Sequence, residues 1–132
     1  SGLKLLIYWA DRSKKAFGNN PHKGLFGIIQ GGLIKNLREQ SALSMVKLDF
    51  DGYALGGLAL GETRVERKNI VNFTTEYLPT NKPRYVMGLG DTLGLIDLIE
   101  EGIDMCDCVW PARLARHGKL ITGNSYINIK NW

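Results

Sequence analysis

The sequence repeats one pattern, in which a short apolar stretch ends in a polar residue or in glycine and is followed by a segment with helical spacing. The first such stretch, residues 24–32, stays apolar until it ends in Gln30 and two glycines. An uninterrupted apolar run of this kind is typical of a strand buried on both faces of a parallel sheet. Residues 33–48 then carry apolar side chains at helical spacing, which predicts a helix.

The same unit recurs along the rest of the chain. The further predicted elements are strands within 51–62, 84–90 and 105–109, helices over 63–78 and 92–101, and an additional first helix over 1–17. Alternation of strands and helices predicts an α/β fold with a parallel sheet and right-handed crossovers.

Each predicted strand ends in a polar or glycine-rich group, and in a (βα)8 barrel this edge of the sheet gathers catalytic and ligand-binding groups. We therefore predict a partial TIM (βα)8-type barrel with about four parallel βα units. Residues 119–122 and 125–129 flank a Gly-Asn pair and predict a C-terminal β-hairpin. The expected organisation is a half-barrel over 1–118, followed over 119–132 by the start of a hairpin region.

Length and charge restrict the class of protein. The chain has 132 residues, of which 44% are hydrophobic, enough for one modest core. Its formal net charge of +4 permits a polyanionic partner such as nucleic acid, although a solvated basic surface is the usual explanation for so small an excess. No apolar stretch approaches a membrane span and the start lacks the features of a secretory signal, so we expect a cytoplasmic location and no membrane partner.

The two cysteines give little indication of a metal site. Cys106 and Cys108 are separated by one residue, which makes a disulfide between them geometrically poor, so reduced thiols are expected. A Cys-x-Cys pair is found in some metal sites, but only His22 and His117 could complete one, and neither has the spacing of a ligand.

Asp107 is the candidate reactive group. It lies in the apolar run 105–109 and is soon followed by Arg113 and Arg116. A carboxylate within an apolar strand is unusual unless it is paired or chemically useful. The alternative is a buried aspartate that caps nearby backbone amides or belongs to a structural ion pair.

Four motifs follow one another in the sequence. They are FGIIQGG at 26–32, FDGYALGGLALGE at 50–62, YVMGLG at 85–90 and GIDMCDCVWPARLARHG at 102–118. Together they closely resemble the tRNA-guanine transglycosylases, also called queuine tRNA-ribosyltransferases, of the bacterial type. Because four ordered motifs cover nearly the whole chain, this resemblance is far more specific than a single glycine motif.

The resemblance implies a glycosyltransferase, more narrowly a pentosyltransferase, that exchanges the wobble guanine of a tRNA with a GU-type anticodon for a 7-deazaguanine precursor of queuosine. Its free base would be guanine or 7-aminomethyl-7-deazaguanine. Asp107 matches the nucleophile that attacks ribose C1′ and holds the tRNA covalently, and two successive displacements would retain the sugar configuration. A second acid–base group must serve the base nitrogens, and in the family it is an aspartate that would lie upstream of Ser1.

The same resemblance assigns residues to base recognition. The implied substrate-binding residues are Gln30, Gly57, Leu58, Tyr85, Met87 and Gly88. The Gln30 amide could bond a purine edge, and glycine at position 57 leaves room for the base. Without the resemblance, Met87 is better explained as core filler and Tyr85 as a core tyrosine. Glu62 would lie beneath the pocket, or would simply be an acid in the first turn of a helix.

Arg113 and Arg116 match arginines that contact the anticodon loop, where guanidinium groups bind phosphates or base edges. Taken alone, spaced arginines usually indicate a solvated face. Leu60 stands where the family has a smaller residue, and a narrower pocket would favour the aminomethyl precursor. The family's structural zinc site, three cysteines and a histidine, would lie beyond Trp132, so no cofactor and no metal are expected in this chain.

Two other functions remain open from the sequence. The chain could be an inactive truncated fragment that only binds tRNA or another subunit, in keeping with the missing acid–base aspartate. It could instead be another TIM-barrel enzyme in which the glycines at 56–57 and 88–90 cradle a phosphate. Half a barrel would expose two strand edges and much apolar surface, so we expect a homo-oligomer.

Overall fold

The structure is a computed structural model that describes residues 2–58, 60–123 and 125–129. In chain order these residues form α1 (Gly2–Phe17), β1 (Phe26–Ile29), α2 (Lys35–Leu48), β2 (Gly52–Leu55), α3 (Arg64–Thr75), β3 (Arg84–Val86), α4 (Thr92–Glu100), β4 (Met105–Cys106), α5 (Trp110–Arg116), β5 (Lys119–Thr122) and β6 (Ser125–Asn128). Ser1 of the predicted first helix, Asn124 of the predicted hairpin turn and residues 130–132 lie outside the described residues.

Strands β1 to β4 form one parallel sheet in the order β1-β2-β3-β4. Each strand lies beside its neighbour in sequence, without the reversal of strand order found in doubly wound sheets. This order, with a helix between successive strands, is that of part of a (βα)8-type barrel. The predicted fold class is therefore confirmed, together with the antiparallel hairpin of β5 and β6.

The two faces of the sheet differ in burial. On one face Ile29, Leu55 and Val86 are neighbours across three strands and are completely buried, in one cluster with apolar residues of α2, α3 and α4. On the other face Ile28 is 38% exposed and Met105 is 50% exposed. The core thus lies between the sheet and its helices, and the second face, called the open face below, has no covering layer among the described residues.

Local signals begin and end the helices close to the predicted positions. The Thr63 side chain accepts a hydrogen bond from the Glu66 amide while the Glu66 side chain accepts one from the Thr63 amide, which makes a capping box at the start of α3. Asp91 caps α4, since its side chain accepts a hydrogen bond from the Gly94 amide. These caps fix where each helix leaves the carboxyl edge of the sheet.

The prediction of a buried apolar strand that carries Asp107 is wrong for β4. The strand comprises only Met105–Cys106, and Asp107 follows its last residue. Both strand residues and Asp107 are exposed. The reason is that β4 has β3 as its only sheet neighbour among the described residues, so the apolar run lies at an edge. The alternative of a buried aspartate is wrong in its burial for the same reason, although Asp107 does accept a hydrogen bond from a backbone amide, that of Gly88.

No helix in the described part of the chain is both long enough and apolar enough to span a membrane.

Candidate active site

Asp107 lies at the carboxyl edge of the sheet, directly after β4. The register pairs Val86 with Cys106, so the residues that follow β3 and β4 are neighbours. Carboxyl ends of parallel strands meet at one edge, which is why side chains from distant parts of the sequence converge there.

Two donors hold the Asp107 carboxylate. The Tyr85 hydroxyl donates a hydrogen bond to Oδ1. The Gly88 amide donates a second hydrogen bond to the same oxygen at 2.8 Å. Gly88 has φ +75°, a left-handed conformation that glycine adopts without penalty. The turn after β3 can therefore direct its amide toward the carboxylate.

These hydrogen bonds determine the protonation of the pair. The hydrogen bond from the Tyr85 hydroxyl, followed by that from Gly88, holds the pKa of the Asp107 carboxyl below its ordinary value. The same bond, followed by burial, raises the pKa of the Tyr85 phenol. At neutral pH Asp107 is therefore ionised and Tyr85 remains a donor. Because the folded pKa of Asp107 is the lower one, this interaction stabilises the fold above the ordinary carboxyl pKa and is lost as pH falls through the folded pKa.

Gln30 and Gly57 meet at the ends of β1 and β2. The Gln30 backbone amide donates to Ser41 Oγ at 3.1 Å, which holds the residue against α2. A Cβ added to Gly57 would lie 2.8 Å from Gln30 Oε1, and one added to Gly56 would lie 2.5 Å from Gln30 Nε2. The Gln30 side-chain amide therefore lies directly on the backbone of both glycines, in space that a larger residue would fill.

The other residues assigned to base recognition have different environments. Leu58 is 1% exposed and its side chain belongs to the core. Met87 is 37% exposed, so the interpretation as core filler does not describe it. With Tyr85 and Met105 it lines a cleft of about 340 Å³ on the open face. The Leu60 side chain is 86% exposed.

The site thus consists of two groups of residues on adjacent strands. Asp107, Tyr85 and Gly88 are hydrogen-bonded to one another at the ends of β3 and β4. Gln30 and Gly57 are packed together at the ends of β1 and β2. A backbone hydrogen bond from Met87 N to Leu55 O, 3.1 Å long, joins the end of β3 to the end of β2 and so connects the groups.

Helix α5 carries the two predicted RNA-contacting arginines immediately beyond Asp107. Arg113 and Arg116 are exposed, and neither forms an ion pair with another described residue. The helix packs against β5, where Lys119 Nζ lies 4.2 Å from the centre of the Tyr126 ring. The surface beside the carboxylate is therefore basic and carries an exposed aromatic ring.

Arg38 was not predicted as a site residue, although the structure places it at the ends of β1 and β2. Its side chain is completely buried in α2 and donates to the carbonyls of Ile29 and Gly56, which precede Gln30 and Gly57. A signal was available in the sequence, because position 38 is three residues before Ser41 and seven before Met45, on the stripe that the helix buries.

The cysteines and histidines do not fit the zinc site of three cysteines and one histidine. Cys106 is exposed, Cys108 is half-buried, and both are free thiols. Burial, followed by repulsion from Cys108, raises the pKa of the Cys106 thiol. Within residues 2–58, 60–123 and 125–129 no three His, Cys, Asp or Glu side chains form a group that could hold a metal.

The fold and the site define a (βα)8-type α/β protein with an ionised, hydrogen-bonded carboxylate at the carboxyl edge of its parallel sheet. A family model described as "Queuine tRNA-ribosyltransferase" matches residues 3–132. The chain belongs to this family, which confirms the resemblance carried by the four motifs.

Individual relatives agree with the family model. The chain is 45% identical over 131 residues to a queuine tRNA-ribosyltransferase of Thermoanaerobacter sp., a match that covers 99% of this chain and 35% of the relative. It is 49% identical over 123 residues to the proteins of that name from Lactiplantibacillus plantarum and Bacillus velezensis, with 93% of this chain and 32% of each relative covered. The chain therefore spans about a third of the length of these curated relatives.

Proposed function

We propose that this chain carries the nucleophile and part of the base and tRNA surface of a tRNA-guanine transglycosylase. The observation that carries the proposal is the Asp107 carboxylate, exposed at the carboxyl edge of the sheet and bound by the Tyr85 hydroxyl and the Gly88 amide. Family membership and the motif match support the choice of substrate. The reaction would exchange the wobble guanine of a tRNA with a GU-type anticodon for 7-aminomethyl-7-deazaguanine or for free guanine.

The proposed chemistry has two displacements at ribose C1′. In the first, an Asp107 oxygen bonds to C1′ while the bond from C1′ to the guanine ring nitrogen breaks and that nitrogen takes a proton from a general acid. In the second, the ring nitrogen of the incoming base loses a proton, bonds to C1′ and displaces Asp107. Two displacements retain the sugar configuration. Because both donors bind Oδ1, we assign the attack to Oδ2.

Base and RNA would be held by separate parts of the chain. Gln30 and Gly57 would bind the edge of the purine, and Met87 would pack on its face. Arg113 and Arg116, exposed on α5 beside the carboxylate, would bind the anticodon loop. An unpaired loop makes extraction of the guanine inexpensive. The chemistry assigned to this chain uses no cofactor or metal of its own, and a tRNA substrate is consistent with a cytoplasmic location.

We further propose that copies of the chain associate. Strands β1 and β4 each have one sheet neighbour among the described residues, and Ile28 and Met105 are exposed on the open face. Unpaired strand edges and exposed apolar patches favour association. Light scattering across a range of chain concentrations tests this, and a compact monomer at all concentrations contradicts it.

The test of function is incorporation of labelled guanine into a tRNA stem-loop with a GU-type anticodon. The variant is Asp107→Asn, and the matched control is Asp11→Asn, which removes a half-buried carboxylate on α1 whose one ion pair among the described residues is with Lys15. Because the amide cannot form the covalent bond, Asp107→Asn is expected to lose incorporation, whereas the control keeps it. The covalent complex is measured separately, as a tRNA-bound species that survives denaturation.

The incorporation assay, together with measurements of stem-loop and ligand binding, distinguishes the transglycosylase from the two alternative functions. Incorporation that persists in Asp107→Asn contradicts the assignment of the nucleophile. Binding of the stem-loop without incorporation or adduct, by the unaltered chain, favours the alternative of a fragment that only binds tRNA. Binding of a sugar phosphate but not of guanine favours the phosphate-binding enzyme.

A further inference from the structure

The Arg38 side chain is completely buried, and its hydrogen-bond partners within the described residues are all backbone carbonyls. It lies near the start of α2, and its guanidinium donates to Gly32 O at 2.8 Å, to Ile29 O at 3.1 Å and to Gly56 O at 2.8 Å. No carboxylate of the described residues lies within ion-pair distance of it. The planar fork of a guanidinium is suited to three acceptors in fixed directions, which an ammonium group could not match.

Two of the three acceptors lie at the ends of strands, and the third, Gly32 O, lies in the turn between β1 and α2. Ile29 is the last residue of β1 and Gly56 follows the last residue of β2. The Gly56 amide also donates to Ile29 O at 3.0 Å, so that one carbonyl accepts from both the other strand end and the guanidinium. Gly31 completes the contact, because a Cβ there would lie 2.8 Å from the Arg38 backbone nitrogen. Helix α2 is therefore fixed to both strand ends at once.

Placing a cation of this kind at a core position has a free-energy cost. Burial lowers the pKa of Arg38 to about 10, with attraction from Glu62 acting in the opposite direction, so the group is still charged at neutral pH. Burying a charge without an ion pair is unfavourable, and an apolar side chain of similar volume often serves stability better. The benefit of arginine here is the geometry that its donors impose on the two strand ends.

We infer that Arg38 is a positioning residue for base recognition, which sets the spacing between the Gln30 amide and the backbone of Gly57. It touches neither the base nor Asp107 and acts through the peptide groups that precede those two residues. This inference rests on the proposed function. It extends the site to α2, a helix to which the motif resemblance assigned no role.

The test compares Arg38→Met and Arg38→Lys with Met45→Ala. Met45 lies on the same helix and is also completely buried, but it belongs to the apolar cluster. Three quantities are measured for each: the guanine Kd by equilibrium dialysis, the hydrogen-exchange rate of the Gly56 amide by NMR, and the free energy of unfolding in urea. At metal sites, removing a group that orients a ligand typically weakens binding about tenfold to a hundredfold, and we take the lower end of that range for Arg38.

We expect Arg38→Met to raise the guanine Kd about tenfold or more and to accelerate exchange at Gly56. We expect a smaller rise for Arg38→Lys and an unchanged Kd for Met45→Ala, even though that variant is also destabilised. A Kd within about twofold of the unaltered chain in Arg38→Met, or an equal rise in Met45→Ala, overturns the inference.

If Arg38→Met does not fold, the test depends on Arg38→Lys. A guanine Kd several-fold higher in Arg38→Lys then supports the inference, and an unchanged guanine Kd overturns it. If the unaltered chain binds no guanine, the proposed function fails on that measurement. The exchange rate at Gly56 then still decides whether Arg38 fixes the strand ends, since unchanged exchange in Arg38→Met, against the Met45→Ala control, overturns the inference.

Discussion

Substitution of Gly57 by alanine is the sharpest test of the base site, because the structure gives it two separable effects. Gly57 has φ +68°, and a Cβ there would lie 2.8 Å from Gln30 Oε1. The first effect is conformational and depends only on the left-handed backbone. The second is steric and acts on the side chain proposed to bind the purine edge.

The size of each effect can be worked out from the φ of Gly57 and from the distance between its added Cβ and Gln30 Oε1. A left-handed residue with a Cβ costs about 1–2 kcal/mol relative to glycine. An ordinary contact needs about 3.5 Å, so the Gln30 oxygen must move by about 0.7 Å from its 2.8 Å position. Misaligning the hydrogen bond proposed between Gln30 and the purine edge costs about 0.5–1.5 kcal/mol of binding free energy. The guanine Kd should therefore rise about two- to tenfold.

Gly18→Ala is the matched control. Gly18 has φ +65°, but a Cβ there would meet nothing within 4 Å. Both variants should therefore lose about the same 1–2 kcal/mol of unfolding free energy in urea. Only Gly57→Ala should weaken guanine binding in equilibrium dialysis. In an NMR spectrum, only Gly57→Ala should shift the side-chain amide signals of Gln30.

Two results would refute this reasoning. One is an unchanged guanine Kd in Gly57→Ala together with the expected loss of stability, which would show that Gln30 does not bind the base. The other is an equal rise of Kd in Gly18→Ala, which would show that binding responds to general stability rather than to the contact with Gln30.

Three further predictions concern other parts of the chain. Tyr85→Phe removes the first donor to Asp107, so an NMR pH titration should find the pKa of that carboxyl raised toward its ordinary value; an unmoved pKa contradicts the hydrogen bond. Replacing Arg113 and Arg116 together by alanine should make binding of an anticodon stem-loop less salt-dependent, by about 0.7 in the log–log slope for each lost phosphate contact. Asp91→Ala removes the cap of α4 and should lower the free energy of unfolding in urea by about 1 kcal/mol.

The strand ends could be predicted from the sequence because their signal is local. An apolar run that stops at Gln30, or at two glycines after β2, marks the carboxyl end of a strand wherever the strand is placed. Because parallel strands have these ends at one edge of the sheet, the alternation of strands and helices was enough to predict that Gln30, Gly57 and Asp107 lie at the same edge.

The environments of β4 and Arg38 could not be predicted in the same way. Residues 105–109 have the composition of a buried strand, but burial depends on what covers the strand, and in the described part of the chain β4 has one neighbouring strand. Arginine usually faces solvent, so the spacing that places Arg38 on the buried stripe of α2 does not by itself indicate what its guanidinium binds. Two of its acceptors, the carbonyls of Ile29 and Gly56, lie 9 and 18 residues away in the sequence. They come within hydrogen-bond distance of Arg38 only when the sheet has formed.

The division of the site between two pairs of strands has a measurable consequence. The purine-edge residues lie at the ends of β1 and β2, and the carboxylate with its donors lies at the ends of β3 and β4. Neighbouring strands are about 4.8 Å apart, and the two groups on which these substitutions act, the Gln30 amide after β1 and the Asp107 carboxylate after β4, are three strand spacings apart across the sheet, far enough for the two effects to be independent. A variant that combines Gly57→Ala with Tyr85→Phe should therefore show the guanine Kd of the first and the Asp107 pKa of the second. A Kd that rises well beyond that of Gly57→Ala alone would mean that Tyr85 also holds the base.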